Sequence, residues 1–129
     1  MNRIHLWVGI ISLIVFVLQG QYMAWGLGLL QAVPDGPRMM LRSAHLYLFL
    51  TGAINIALGS APEVSPPDKL EKITSIIFIL SPSALLVSFF VESYATNLNR
   101  PIAAITLQLV FAAIAVRALR ALGFGHRAS

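Results

Sequence analysis

Residues 73–91 read ITSIIFILSPSALLVSFFV, an apolar run without a charged side chain. About 20 apolar residues in a helix cross the roughly 30 Å of hydrocarbon in a bilayer. Similar uncharged runs occupy residues 4–34, 43–62 and 101–116. The sequence therefore predicts an all-α integral membrane protein with four membrane-spanning helices. We place these helices near residues 4–27, 41–59, 71–93 and 99–121.

Composition excludes a soluble domain and several kinds of site. Charged residues make up 11% of the 129 residues and hydrophobic residues 57%, whereas a soluble domain has about 25% charged residues to cover its core. The chain has no cysteine, which excludes disulfides, thiol catalysis, iron–sulfur clusters and thiolate zinc sites. Its net charge of +4 comes from basic residues scattered at the ends of the apolar runs, so it does not indicate a nucleic-acid-binding surface.

Proline-rich segments separate the apolar runs and keep the connections short. Short connections make consecutive helices antiparallel neighbours, so we expect one membrane domain over residues 1–129, folded as an antiparallel four-helix bundle. On one side of the membrane this topology collects the basic residues Arg3, Lys69, Lys72, Arg117, Arg120 and Arg127. On the other side it collects the smaller set Arg38, Arg42 and Arg100. The positive-inside rule then predicts cytoplasmic N and C termini, and the absence of a transit signal favours a bacterial inner (plasma) membrane.

Small and polar residues recur on one side of each predicted helix. In a bilayer, helices associate through small residues and hydrogen bonds rather than through the hydrophobic effect. Gly52 and Gly59 are seven residues apart, as are Thr74 and Ser81, and this spacing is typical of left-handed packing at about 20°. The predicted packing seam comprises Gly9, Ser12, Gly52, Gly59, Thr74, Ser81, Ser88, Ala104, Gln108 and Ala112.

A cluster of polar side chains is expected near the outer ends of the helices, with one member deeper in the membrane. Glu92 directly follows a span on that side, and a carboxylate at membrane depth needs a cationic or hydrogen-bonding partner. The candidate cluster comprises Gln19, Arg42, His45, Asn55, Glu92 and Arg100. Three interpretations stand: the polar residues pack and pair to hold the helices together, the cluster binds a polar head group or a redox ligand, or a proton or ion path runs through the membrane. The residues of that path would be Asn55, Ser81 and Gln108.

Pro82 lies in the middle of the third predicted helix. Its ring removes one backbone donor and leaves the carbonyl of Phe78 without its helical partner, so we expect a kink. We expect the hydroxyls of Ser81 and Ser83 to satisfy the carbonyls that the kink exposes.

No metal site and no cofactor is predicted, because no His, Asp or Glu pair has ligand spacing along one helix. A helix-borne histidine such as His45 is nevertheless a common haem ligand, and Arg38 and Arg42 are placed to meet the propionates. His5 and His126 are expected on the opposite side of the membrane, so neither shares an iron with His45. His45 is then the only histidine that this chain offers to such a haem. Binding of haem b or quinone is kept as an alternative.

The sequence contains no nucleophile-and-base arrangement, phosphate-binding glycine loop or metalloprotease pattern, which disfavours an enzyme that acts alone. We therefore expect a non-catalytic accessory or assembly subunit that packs against a larger membrane complex or associates with itself. Its expected partners are the lipid bilayer and other membrane protein subunits or further copies, and no nucleic acid. One alternative is a haem-, quinone- or lipid-head-group-binding protein with a site at the outer helix ends, acting in electron transfer or as a membrane enzyme. Another is a small transporter that acts as an oligomer.

Overall fold

The computed structural model is all-helical, with no strand in the part of the chain that it describes. The described residues are 2–28, 31, 33–62, 67–94 and 99–122. The helices are α1 (Asn2–Gln21), α2 (Asp35–Ser60), α3 (Lys69–Val91) and α4 (Pro101–Ala121). A π-helical turn, Tyr22–Gly26, continues α1. All four helices are long and apolar enough to cross a membrane, which suggests an integral membrane protein. His126 and Arg127 lie outside the described residues.

Three helices, α1, α2 and α3, begin earlier than the apolar pattern predicts, and local residues explain the starts of α2 and α3. α2 starts at Asp35, because Pro37 lies in the first turn, where a missing backbone N–H costs no helical hydrogen bond. α3 starts at Lys69, and the preceding Asp68 accepts the backbone N–H of Glu71 at 2.8 Å as a helix N-cap. Local capping and proline geometry, rather than hydropathy, therefore set these ends.

Glycines bring the backbones of α1 and α2 into direct contact. A Cβ atom added at Gly9 would lie 2.6 Å from Ile56 Cγ1 and 2.9 Å from the carbonyl oxygen of Gly52. A Cβ atom added at Gly59 would lie 2.5 Å from the backbone nitrogen of Leu6. Because Cβ atoms do not approach other atoms so closely, this helix pair requires glycine at both positions.

α3 contacts both α2 and α4, whereas α1 packs chiefly on α2. The buried side chain of Phe78 in α3 packs against Val110 and Ala113 of α4. Ile54 and Leu58 of α2 lie against the same cluster. α4 therefore has one buried face, and the rest of its surface points outward.

The packing face of α4 differs from the predicted seam. The buried residues of this helix are Ala103, Thr106, Val110 and Ala113. The residues predicted to pack, which are instead exposed, are Ala104, Gln108 and Ala112. Small residues lie on both sides of α4, so composition alone does not choose between the two sides. The packing of Val110 and Ala113 against Phe78 determines which side of α4 is buried.

Candidate functional site

The carboxylate of Glu92 joins the end of α3 to the beginning of α4 by hydrogen bonds. Glu92 directly follows α3 and is 4% exposed. Its Oε1 accepts the backbone N–H of Ile102 at 2.5 Å, and its Oε2 accepts that of Ala103 at 3.0 Å. Ser88 Oγ, one turn back in α3, donates to Oε2 at 2.5 Å. Glu92 therefore caps the first turn of α4, to which the preceding residue, Arg100, donates no side-chain cap.

Arg100 ties the same junction to α2. Its Nη1 donates to Ser43 Oγ at 2.6 Å, and its Nη2 donates to Ser88 Oγ at 3.3 Å. Burial raises the pKa of Glu92, but hydrogen bonds from Ser88 and the α4 backbone, together with the charge of Arg100, hold that pKa below its ordinary value. Burial also lowers the pKa of Arg100, which the charge of Glu92 opposes. The hydroxyl of Ser88 thus joins a cation and a carboxylate at this junction.

Arg42 and His45, two members of the predicted cluster, take no part in the hydrogen bonds of this junction. Arg42 is exposed. His45 is half-buried and stacks on Phe16 of α1, with ring centroids 3.9 Å apart and ring planes 14° apart. Its Nδ1 is buried without a hydrogen-bond partner among the described residues. The junction therefore brings Glu92 and Arg100 together without Arg42 or His45.

Gln19 is a buried amide without a partner in the described part of the chain. Its residue is 4% exposed, yet neither Oε1 nor Nε2 makes a hydrogen bond there. Buried amides are ordinarily hydrogen-bonded, because transfer of an unpaired amide from water into an apolar environment costs about 2–7 kcal/mol. Among the described residues, Gln19 is therefore a buried amide that the fold leaves unpaired.

Asn55 belongs to a second buried network, nearer the start of α1. Its Oδ1 lies 2.7 Å from His5 Nδ1, and since an amide oxygen only accepts, the histidine ring is the donor. Its Nδ2 donates to the carbonyl of Phe78 at 2.7 Å and to that of Thr51 at 2.9 Å. Asn55 therefore connects α1, α2 and α3 by hydrogen bonds.

The Phe78 carbonyl is the group that Pro82 deprives of its helical donor. Ser81 Oγ donates to this carbonyl at 3.0 Å, beside the bond from Asn55. The expectation that a neighbouring serine satisfies a freed carbonyl is thus confirmed for Ser81, while Ser83 is exposed. The contribution of Asn55, on another helix, was not predicted.

Arg117 and His5 are buried-network residues that the sequence prediction left outside its candidate cluster. Arg117 Nη2 donates to Ser75 Oγ at 2.6 Å, and its Nε donates to Thr74 Oγ1 at 3.0 Å. Its guanidinium carbon lies 5.6 Å from the centre of the Phe78 ring, within range of a cation–π contact. The repeat of hydroxyl residues along α3 indicates a polar face there, but nothing in the sequence of α4 indicates which residue meets it.

The predicted packing seam occupies both buried and exposed positions. Its buried members are Gly9, Ser12, Gly52, Thr74, Ser81 and Ser88, and its partly buried member is Gly59. Its exposed members are Ala104, Gln108 and Ala112. The seam of the first three helices therefore lies inside the chain, while that of α4 faces outward.

The polar networks bond mainly to themselves and to the backbone. Glu92, Arg100 and Asn55 all use their side chains to join one helix to another. The described residues do not bring three or more His, Asp or Glu side chains together as a metal site. Such an arrangement holds helix ends and the proline-containing helix α3 in place. Comparisons with known protein families, with curated proteins and with solved structures find no match to this chain.

Proposed function

We propose that this chain is a non-catalytic membrane subunit whose outward face of α4 binds another transmembrane helix, in a larger complex or in a second copy. The position of Gln108 carries the proposal. This residue lies in the middle of α4, a helix apolar enough to span a membrane, and it is exposed. A polar amide in contact with lipid chains needs a hydrogen-bond partner, and the described part of the chain supplies none.

Helical geometry places Gln108 opposite the packed face of α4. At about 100° per residue, Gln108 is half a turn from Val110, which is fully buried against α3. Ala104, Ala112 and Ala115 lie along the same outward line and are exposed. Small residues with a polar amide among them are the pattern through which membrane helices approach closely and form hydrogen bonds.

The energetics favour a second helix on this line. In hydrocarbon an unpaired amide is costly, because no water is present and lipid chains offer no hydrogen bond. A helix seated against Gln108 would pair with its amide, and the flanking alanines would let the two backbones approach. Interhelical hydrogen bonds of this kind contribute about 0.6–2 kcal/mol.

The buried networks support a structural rather than a catalytic role. Glu92 caps α4, Arg100 joins α4 to α2, and Asn55 joins α2 to α1 and α3. A group that is already paired within its own chain must break those bonds before it acts on a substrate, at a cost in desolvation.

We also propose an antiparallel bundle in a bacterial inner membrane, with both termini cytoplasmic. Gly59, near the end of α2, faces Leu6 near the start of α1. His45, in the first half of α2, faces Gly20 near the end of α1. This reversed order of contacts supports antiparallel helices, and the excess of Lys and Arg on the predicted inner side supports the orientation.

The absence of cysteine allows a direct test of the α4 surface in native membranes. The variants Gln108→Cys and Ala112→Cys place one thiol on the outward line. Leu109→Cys is the control, since Leu109 is also exposed but lies about 100° away around the helix. Each thiol is coupled to a photoactivatable cross-linker, and the products are separated by mass.

We expect cross-linked products from Gln108→Cys and Ala112→Cys and little from Leu109→Cys. A product of twice the chain mass identifies a second copy as the partner, and a different mass identifies another subunit. Equal yields from all three positions, or no product at natural expression levels, would contradict the proposal.

A further inference from the structure

One side of α3 carries four residues that the rest of the chain leaves wholly or partly uncovered. Ile76, Ser83 and Val87 are exposed, and Ile79 is half-buried. Steps of three and four residues keep them on one side of the helix, and we call them the cleft-side line of α3. Ile79 and Ser83 also line a cleft of about 220 Å³ beside α1. Because the exposed Ile11 lines the same cleft, it opens at the surface of the helices.

The contacts between α3 and α4 run in opposite directions along the two helices. Thr74 accepts a hydrogen bond from Arg117. Phe78, four residues later in α3, packs against Ala113, four residues earlier in α4. A step forward along α3 therefore corresponds to an equal step backward along α4.

This register places Ser83 and Gln108 at the same depth. Ser83 follows Phe78 by five residues, and Gln108 precedes Ala113 by five. The outward line of α4 has the same spacing as the cleft-side line of α3, read backward, so its three alanines are level with the three aliphatic residues of α3. These level pairs are Ile76 with Ala115, Ile79 with Ala112, and Val87 with Ala104. Small residues on one helix thus match large residues on the other.

We propose that the outward line of α4 in one copy of this chain packs on the cleft-side line of α3 in a second copy, with Gln108 hydrogen-bonded to Ser83. This inference rests on the proposed function and names the partner of the α4 surface. Copies of one chain insert into a membrane in the same orientation, set by their basic residues. A rotation about the membrane normal then relates them, so residues that are level within one chain are also level between two chains.

The two polar groups are complementary. Both residues are exposed, and neither side chain has a hydrogen bond in the described part of the chain. The amide can donate to the hydroxyl oxygen or accept from its O–H. Since a cavity of about 150 Å³ holds a benzene ring, the cleft of about 220 Å³ has room for the side chain of Gln108. The alanines on either side of Gln108 let the two backbones approach.

The proposed contact joins two different faces of the chain. Each copy that uses its α4 face still has a free α3 face, so the contact closes into a ring or continues as an array. A symmetric dimer would instead bring two α4 faces together. Disulfide cross-linking distinguishes these arrangements, because the two Cβ atoms must lie about 3.5–4.5 Å apart.

Two copies with different tags, one with Val87→Cys and one with Ala104→Cys, are expressed together and oxidised in native membranes. Both positions are exposed, and both variants retain Gln108 and Ser83. We expect a disulfide-linked product that carries both tags. Val87→Cys with Ala112→Cys is the matched control, because Ala112 lies on the same line of α4 but about 12 Å further along the helix. Equal yields from the two combinations would overturn the proposal.

The other outcomes separate this proposal from the proposed function. A disulfide between two Ala104→Cys copies, without the mixed product, would show a symmetric α4 dimer and overturn the contact with α3. A photo-cross-linked product of another mass from Gln108→Cys, without either disulfide, would identify a different subunit. Both results would leave the proposed function intact. The absence of any cross-link from α4 would overturn both proposals.

Energy transfer between fluorescently labelled copies in liposomes tests the hydrogen bond itself. Gln108→Leu and Ser83→Ala should each lower the association constant by about three- to thirtyfold. The double variant should lose no more than either single variant, because both remove the same bond. Gln21→Leu is the control, since Gln21 is an exposed amide outside this contact. Unchanged association of Gln108→Leu, or additive losses in the double variant, would overturn the pairing.

Discussion

At the position of Glu92 a buried negative charge meets the unpaired first turn of α4. Either would be unfavourable alone, because a buried carboxylate loses hydration and the first N–H groups of a helix have no helical acceptor. The bonds from Ile102 and Ala103 to its two oxygens satisfy both requirements. One side chain therefore stabilises the end of α3 and the beginning of α4.

Glu92→Gln should lower the melting temperature in mild detergent. The amide nitrogen of glutamine cannot accept a backbone N–H, so at least one buried donor is left unpaired, at a cost of about 1–3 kcal/mol. Asp35→Asn is the control, since the Asp35 side chain is 96% exposed and its ion pair with Arg38 lies on the surface. An unchanged melting temperature for Glu92→Gln would contradict the capping role.

Acid should remove the same contribution from the wild-type chain. The pKa of Glu92 lies below its ordinary value of 4.5, so its stabilisation is complete above that pH and is lost as the pH falls through the lower folded value. Below pH 4.5 the wild-type melting temperature should fall more steeply than that of Glu92→Gln. The hydrogen bonds from Arg120 and the Glu71 backbone lower the pKa of Asp68 to about 2, and this group titrates in both proteins. Parallel curves would show that Glu92 is not the responsible group.

Between helices, the contact of α1 with α2 depends on the missing side chain of Gly9. Gly9→Ala would place a Cβ atom 2.7 Å from the backbone nitrogen of Ile56, so the helices must separate, at a cost of about 1–3 kcal/mol. Gly20→Ala is the matched control, because its Cβ would lie 3.5 Å from His45 Cε1, an ordinary contact. The first variant should melt at a lower temperature and the second should not. Similar melting temperatures for Gly9→Ala and Gly20→Ala would show that the close contact between α1 and α2 does not lie at Gly9.

The proline-containing segment of α3 is coupled to α2 through the carbonyl of Phe78. Asn55→Leu removes one of the two side-chain donors to this carbonyl and leaves Ser81 Oγ as the other, so the lost hydrogen bond should cost about 0.5–1.5 kcal/mol. In a Pro82→Ala background, the restored N–H can donate to the same carbonyl, so Asn55→Leu should cost less. The loss of the partner of His5 occurs in both backgrounds and cancels. A double-mutant cycle of melting temperatures measures the coupling, and additive effects would rule out a shared carbonyl.

Over the whole molecule, α4 is attached to the other helices at both ends. At its start, Glu92 and Arg100 join it to α3 and α2. Near its end, Arg117 donates to Thr74 and Ser75 of α3. Because α4 is held at both ends, its opposite face points outward in a fixed orientation.

The proposed orientation predicts which residues react from outside an intact cell. In the cysteine-free chain, Asp35→Cys should react with a membrane-impermeant maleimide in intact cells. Lys69→Cys should react only after the membrane is permeabilised, because the positive-inside rule places it on the cytoplasmic side. The reverse pattern would contradict the orientation and would leave the helix contacts unaffected.

The spans and part of the buried networks are readable from the sequence. The apolar runs predict four helices, although the starts of α2 and α3 depend on Pro37 and Asp68 rather than on hydropathy. The predicted cluster includes both Glu92 and Arg100, because a carboxylate at membrane depth needs partners, but Ser88 Oγ joins the two side chains where a direct ion pair was expected. The predicted packing side of α4 is wrong, because alanines occur on both sides of this helix.

The sequence by itself determined the four apolar helices and the carbonyl that Pro82 leaves free, since both depend on residues close together along the chain. Only the tertiary structure decided that Asn55 meets His5 and that Glu92 caps α4. These contacts depend on the register between helices. For α1 and α2 the close approach at Gly9 sets that register, and close approach is a property of two surfaces that neither helix encodes alone.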